Sequence, residues 1–83
     1  MVYTKGNVIV DQIKVGDIHY EYELGVCLKV KVLSLPVQDG EEWTWDAEII
    51  STGKIIHYSV NEKYSHYSVN LYDYEAYKVN TII

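Results

Sequence analysis

The chain has 83 residues and a formal net charge of −5, which describes one small acidic domain, residues 1–83. The acidic balance excludes a duplex nucleic-acid binder, which needs a basic face for phosphates. A single cysteine excludes an internal disulfide, no apolar run is long enough to cross a bilayer, and the start lacks an apolar leader core, so the cytoplasm is the expected compartment.

In chain order, Asn7–Val10 is apolar and β-branched and reads as a short strand broken by Asp11-Gln12. In Ile18–Glu23, Ile18, Tyr20 and Tyr22 alternate with His19, Glu21 and Glu23, the period of a half-buried strand. Leu24-Gly25 breaks it. Val26–Leu35 is the clearest strand, with Val26, Leu28, Val30 and Val32 on one face and Lys29 and Lys31 on the other, where Cys27 and Leu33 join them. Pro36–Glu42 reads as a loop, with Asp39-Gly40 as its turn pair. Trp43, Trp45, Ala47 and Ile49 then oppose Thr44, Asp46, Glu48 and Ile50 along a strand from Trp43 to Ser51. Thr52-Gly53 signals a hairpin, and Lys54–Val60 returns as its partner. From Asn61 to Leu71 the alternation fails. Asn61–Tyr67 reads as a turn or one helical turn capped by Asn61, with Tyr64 and Tyr67 on one side of it. Tyr72–Val79 is a further short strand. The apolar tail Thr81-Ile82-Ile83 needs cover from Asn7–Val10 or from another subunit, which leads us to expect a homo-oligomer.

This layout is that of an all-β, small SH3-like barrel of five strands, with long loops near Leu24–Gly25 and Pro36–Glu42 and one short helical turn before the last strand. An OB-type barrel fits less well, because Thr52-Gly53 leaves no room for its helix.

The catalytic inventory is rich in residue types but not in spacing. His57, His66, Ser59, Ser65, Ser68, Asp73 and Glu75 lack a nucleophile elbow or a Gly-flanked Ser, so no enzyme is expected. His19, His57 and His66 lack metal-ligand spacing, so neither a metal nor another cofactor is expected. Cys27 reads as a core residue.

The aromatic residues are the stronger signal. The chain has nine Tyr, two Trp and no Phe. Tyr20, Trp45 and Tyr58 are expected in the core, and aliphatic residues supply most of the rest of it, so the surplus points to a contact surface. The run from Ile55 to Tyr72 carries His-Tyr-Ser-Val-Asn at His57–Asn61 and again at His66–Asn70, a repeat too short to be structural. The expected ligand set is Trp43, Lys54, Asn61, Tyr64, His66, Tyr67 and Tyr72: aromatic faces to stack on a nucleobase, polar groups to read its edges or a phosphate. Caging of a methylated amine and plain protein contact are the other uses of such a surface.

The run Gly53-Lys54-Ile55-Ile56 through Val60-Asn61-Glu62-Lys63-Tyr64, His66-Tyr67 and Leu71-Tyr72-Asp73 resembles the C-terminal half of short phage and prophage proteins. In these a Thr-Gly-type hairpin leads to a strand and then to a turn with a His-Tyr pair. Ser68-Val69 stands here where members often carry Gly-Pro. The resemblance implies an SH3-like barrel of phage origin. It implies a non-enzymatic protein that evades host immunity by sequestering a nucleotide signal, or one that binds and inhibits a host protein.

Overall fold

The computed structural model describes residues 8–23, 26–61, 71–73 and 81–82. After a 3-10 turn at Val10–Gln12, the chain forms strands β1 (Ile18–Glu23), β2 (Val26–Val32), β3 (Val37–Asp39), β4 (Glu42–Ile49), β5 (Ile55–Val60), β6 (Leu71–Tyr72) and β7 (Thr81–Ile82). They make one seven-stranded, all-β sheet.

The sheet is built on β4. Its apolar set behaves as the alternation predicts: Trp45, Ala47 and Ile49 are buried and Trp43 packs against them, while Thr44, Asp46 and Glu48 stay half-exposed. On one edge β4 pairs antiparallel with β5, from Trp43↔Val60 to Glu48↔Ile55. The connection Ile50–Gly53 closes with the Gly53 N–H donating to the Ile49 carbonyl at 2.8 Å, and Gly53 takes φ +76°, where a side chain would be strained. On its other edge β4 pairs with both β2 and β3. Val32 lies opposite Ala47, but Val37 lies opposite Thr44, so four residues, 33–36, face two on β4. Ser34 holds this bulge by accepting the Asp46 N–H on its hydroxyl at 2.9 Å. The expected Pro36–Glu42 loop is thus a bulge around Pro36, a short strand and the turn Gly40-Glu41, with Gly40 at φ +67°.

The long loop expected near Leu24–Gly25 falls on residues outside those described, and the ladder on either side of them runs to its end. Glu23 pairs with Val26, which leaves two residues for the connection. β6 pairs with the outer edge of β1 through Tyr20↔Tyr72 and Glu21↔Leu71. Val8 donates its N–H to the Leu71 carbonyl, Ile9 forms an isolated bridge, and Val10–Gln12 turns, so the described part of the expected Asn7–Val10 strand, residues 8–10, is not a strand. The tail pairs in parallel with β2, Val26↔Thr81 and Cys27↔Ile82. Its backbone thus pairs with a strand of its own chain other than the Asn7–Val10 segment expected.

The main path runs β5-β4-β2-β1-β6, with β3 and β7 as short additions to strand edges. Among the described residues no ladder joins β5 to β6, so the expected closed barrel is not formed by them. Even so, Val60 of β5 and Leu71 of β6 belong to one apolar cluster with Val30, Val32, Trp45 and Tyr58, so the sheet bends around a single core. Tyr58 of β5 donates its phenol to Glu21 Oε1 of β1 at 2.6 Å, a tie across the bend between strands that are not neighbours. The helical turn expected within Asn61–Tyr67 falls, beyond Asn61, outside the described residues.

Candidate functional site

The site begins with a reversal in β1. The alternation of Ile18, Tyr20 and Tyr22 puts Tyr20 among the core aromatics, yet Tyr20 and Tyr22 are half-exposed and Ile18 is exposed. His19, from the polar set, is buried with 5% of its surface exposed. Register explains the inversion. Directly opposed residues in an antiparallel pair share a face. His19 lies opposite Val30, which is completely buried and sits opposite Ile49 in turn. Ile18 and Tyr20 lie opposite Lys31 and Lys29. The register runs from Ile18↔Lys31 to Glu23↔Val26, and a slip of one residue would reverse every side chain. β2 has the stronger apolar face, so β1 follows it.

Two polar side chains therefore point inward from β1. Glu21 is satisfied by the Tyr58 phenol, and burial together with the neighbouring carboxylate pushes the Tyr58 pKa up. His19 is not satisfied: its Nδ1 is buried and makes no hydrogen bond. Its Nε2 stands 3.9 Å from Asp17 Oδ2, too far for a hydrogen bond but close enough for attraction. Burial lowers the His19 pKa, against the smaller upward pull of Asp17 and Asp73, so the ring is neutral at pH 7. An unpaired buried polar group costs about 1–3 kcal/mol, a large fraction of a small domain's stability.

His19 lines a hollow of about 190 Å³ together with Val8, Ile9, Gln12, Ile13, Asp17 and Asp73. The elements that place these groups converge from distant parts of the chain. The 3-10 turn supplies Gln12. The tight turn at Lys14–Asp17 holds Asp17, whose Oδ2 accepts the Lys14 N–H at 2.9 Å. Asp73 follows β6, which pairs with β1. Among the described residues the lining has an aliphatic wall, two carboxylates, one amide and one imidazole, and no cationic side chain. Among the described residues no group of three or more His, Cys, Asp or Glu converges closely enough to hold a metal ion.

Other chemistry-bearing groups lie elsewhere. His57 Nδ1 and Asp46 Oδ1 are 2.6 Å apart on the outer face of the β4–β5 ladder. Both are substantially exposed and share no residue with the hollow. A solvent-facing pair of this kind is worth about 0–1 kcal/mol. His57 thus faces solvent on its strand. Cys27 is buried, as the sequence suggests, but on the strand face opposite Val30 and outside the main apolar cluster. Trp45 and Tyr58 stack at 5.1 Å in the core.

The ligand set expected from the sequence is not gathered into one place. Trp43 is half-buried against the core and Asn61 is exposed one residue past its partner Val60, so these two stand at one end of the β4–β5 ladder. Lys54 lies at the other end, opposite Ile49, six residues or roughly 20 Å along the strand from Trp43. Tyr72 is half-buried on β6 beside Tyr20. Tyr64, His66 and Tyr67 lie outside the described residues. Sequence reasoning overlooked Asp17 and Gln12 and gave His19 and Asp73 no place at a ligand site. The signal that would have found the hollow is the register Glu23↔Val26, which sets His19 against Val30.

Comparison with protein-family models, with curated proteins and with solved structures finds no significant match to this chain.

Proposed function

We propose that this is a non-enzymatic binding protein on an SH3-like bent sheet, and that the hollow beside His19 is its binding site. The observation that carries this reading is a hollow lined by side chains from three separate segments, with the buried, polar His19 in its wall. A domain this small has little stability to spare, and an apolar residue opposite Val30 would avoid the cost of the orphan nitrogen.

The test is native mass spectrometry of untagged protein gently purified from cells. A small added mass, lost when His19 is replaced by Leu, is expected. A protein that carries no small molecule, and whose hollow takes up none from a mixture of polar metabolites, would end this reading.

A second reading draws on Trp43 and Asn61, which share the end of the β4–β5 ladder from which residues 62–70 depart. A contact surface there would suit a phage-type cytoplasmic protein that sequesters a nucleotide or binds a host protein. Its support is the surplus of aromatic residues and the resemblance of residues 53–73 to phage proteins. The acidic hollow would repel phosphate, so a nucleotide would have to sit on this other surface. An added nucleotide mass that is lost in Asn61→Ala but kept in His19→Leu would favour this second reading over the first.

A further inference from the structure

We infer that the outer edge of β5 is a self-pairing surface. Its partner is a second copy of this chain, joined β5 to β5 in antiparallel about a two-fold axis at His57.

Backbone bonding alternates along an antiparallel ladder. The Ile49 N–H donates to the Lys54 carbonyl at 2.8 Å, so Ile56, Tyr58 and Val60 in turn direct their backbone groups at β4. Ile55, His57 and Ser59 direct theirs away from it. Among the described residues no strand takes up that edge, and no turn or loop bond reaches these three. All three are exposed, Ile55 to 52%. An open edge is a template for pairing, and proteins that must avoid pairing shorten it, charge it or place a proline on it. β3, another strand with an open edge among the described residues, shows these devices: it has three residues, ends in Asp39 and follows Pro36. β5 has none of them. Its six residues, Ile55-Ile56-His57-Tyr58-Ser59-Val60, include no lysine, carboxylate, proline or glycine.

The spacing of the outward residues favours a copy of the same strand. A two-fold axis at His57 sets His57 against the partner subunit's His57, and Ile55 against the partner subunit's Ser59. All three outward residues of each strand then lie in bonded pairs. Moving the axis to Ile56 or to Tyr58 leaves Ser59 or Ile55, respectively, facing beyond the end of the partner strand. On the inner face Ile56, half-buried against the core, comes opposite the partner subunit's Tyr58, which extends the apolar cluster across the contact.

Charge points to the same edge. A net charge of −5 opposes contact between two copies, so they must meet on an uncharged surface. In this register no like charges stand opposite one another. Asp46 lies one strand further in and is already paired with His57 at 2.6 Å. The two copies of Asp46 would stand three strand spacings apart, about 14 Å, beyond the screening length of about 8 Å at physiological salt.

The test is sedimentation velocity of the full chain from about 1 μM to 1 mM, with amide hydrogen exchange read residue by residue. The expected result is a dimer that forms with concentration, with the Ile55, His57 and Ser59 amides slowing as it forms. Ile55→Lys with Ser59→Lys sets lysine opposite lysine in both symmetric rows and should weaken dimerisation about tenfold. Ile55→Lys with Ser59→Glu sets opposite charges there and should restore it. Both positions are exposed, so thermal melts should show both variants folded. His57→Cys should cross-link to a dimer under mild oxidation, because Cα atoms of a bonded pair lie about 5.5 Å apart. Ile55→Cys, about 14 Å from its own copy in this register, should not. A monomer throughout the range would overturn the inference. So would a dimer whose three edge amides stay fast, or one that the paired lysines leave unchanged, because it would use another surface. Edge amides already slow in the monomer would mean that the chain covers this edge itself, which would also overturn it.

Discussion

β1 and β4 carry the same kind of alternating pattern and resolve it in opposite ways. In β4 the apolar residues Trp45, Ala47 and Ile49 turn inward, and the structure there is a stacked, buried core with His57 and Asp46 outside. In β1 the polar residues His19 and Glu21 turn inward while Ile18 is exposed. The difference teaches that a strand's own pattern decides its facing only when that pattern is the strongest in its neighbourhood. Ile18, Tyr20 and Tyr22 are a weak apolar set, because Tyr tolerates a half-exposed position. Val30 and Val32 on β2 are a strong one, and they impose their phase on β1 through register.

The largest expected effect lies on the β4 side. Trp45→Ala removes a fully buried aromatic and its stacked partner surface, and should destabilise the protein by about 3–5 kcal/mol. Chemical denaturation would show this as a lost or strongly shifted transition; a shift below 1 kcal/mol would mean that β4 is not the centre of the core.

Next is the tie that joins the two regions. Tyr58→Phe leaves the Glu21 carboxylate without its phenol donor and should cost about 1–3 kcal/mol. Adding Glu21→Gln to that variant should recover part of the loss, and a double-mutant cycle with no coupling would separate the two strands energetically. The raised pKa of Tyr58 adds a pH signature. Its contribution is complete below the unfolded tyrosine value near 10 and is lost as pH rises above it, because the unfolded chain ionises first.

His19→Leu is the sharpest test of the contrast. If the inward polar residue serves a site and not the fold, removing it should leave the melt unchanged or raise stability by about 1 kcal/mol. Marked destabilisation would give His19 a structural role. The wild-type chain should also lose stability as pH falls below the unfolded histidine value near 6.5, toward the lowered folded one. The sign follows because the unfolded state binds the proton more readily. The slope contributed by this one group cannot exceed about 1.4 kcal/mol per pH unit, and it should vanish in His19→Leu.

The smallest effect is on the outer face. Asp46→Asn weakens an exposed pair with His57 and should change stability by less than about 0.5 kcal/mol.

The sequence by itself determined the all-β class, the phase of β4 and of its return strand β5, the turns near Gly40 and Gly53, and the burial of Cys27, Trp45 and Tyr58. These rest on local signals: alternation with period two, and glycines where the backbone needs positive φ. Only the tertiary structure decided the rest. The bulge around Pro36 split one expected strand and loop into β2 and β3. Pairing placed the tail on β2 and left β5 and β6 unjoined among the described residues. Above all, the register between β1 and β2 turned His19 inward and set it beside Asp17 and Asp73. Facing is a property of strand pairs. The pattern of a weak strand is overruled by the neighbour whose apolar residues have more to gain from burial.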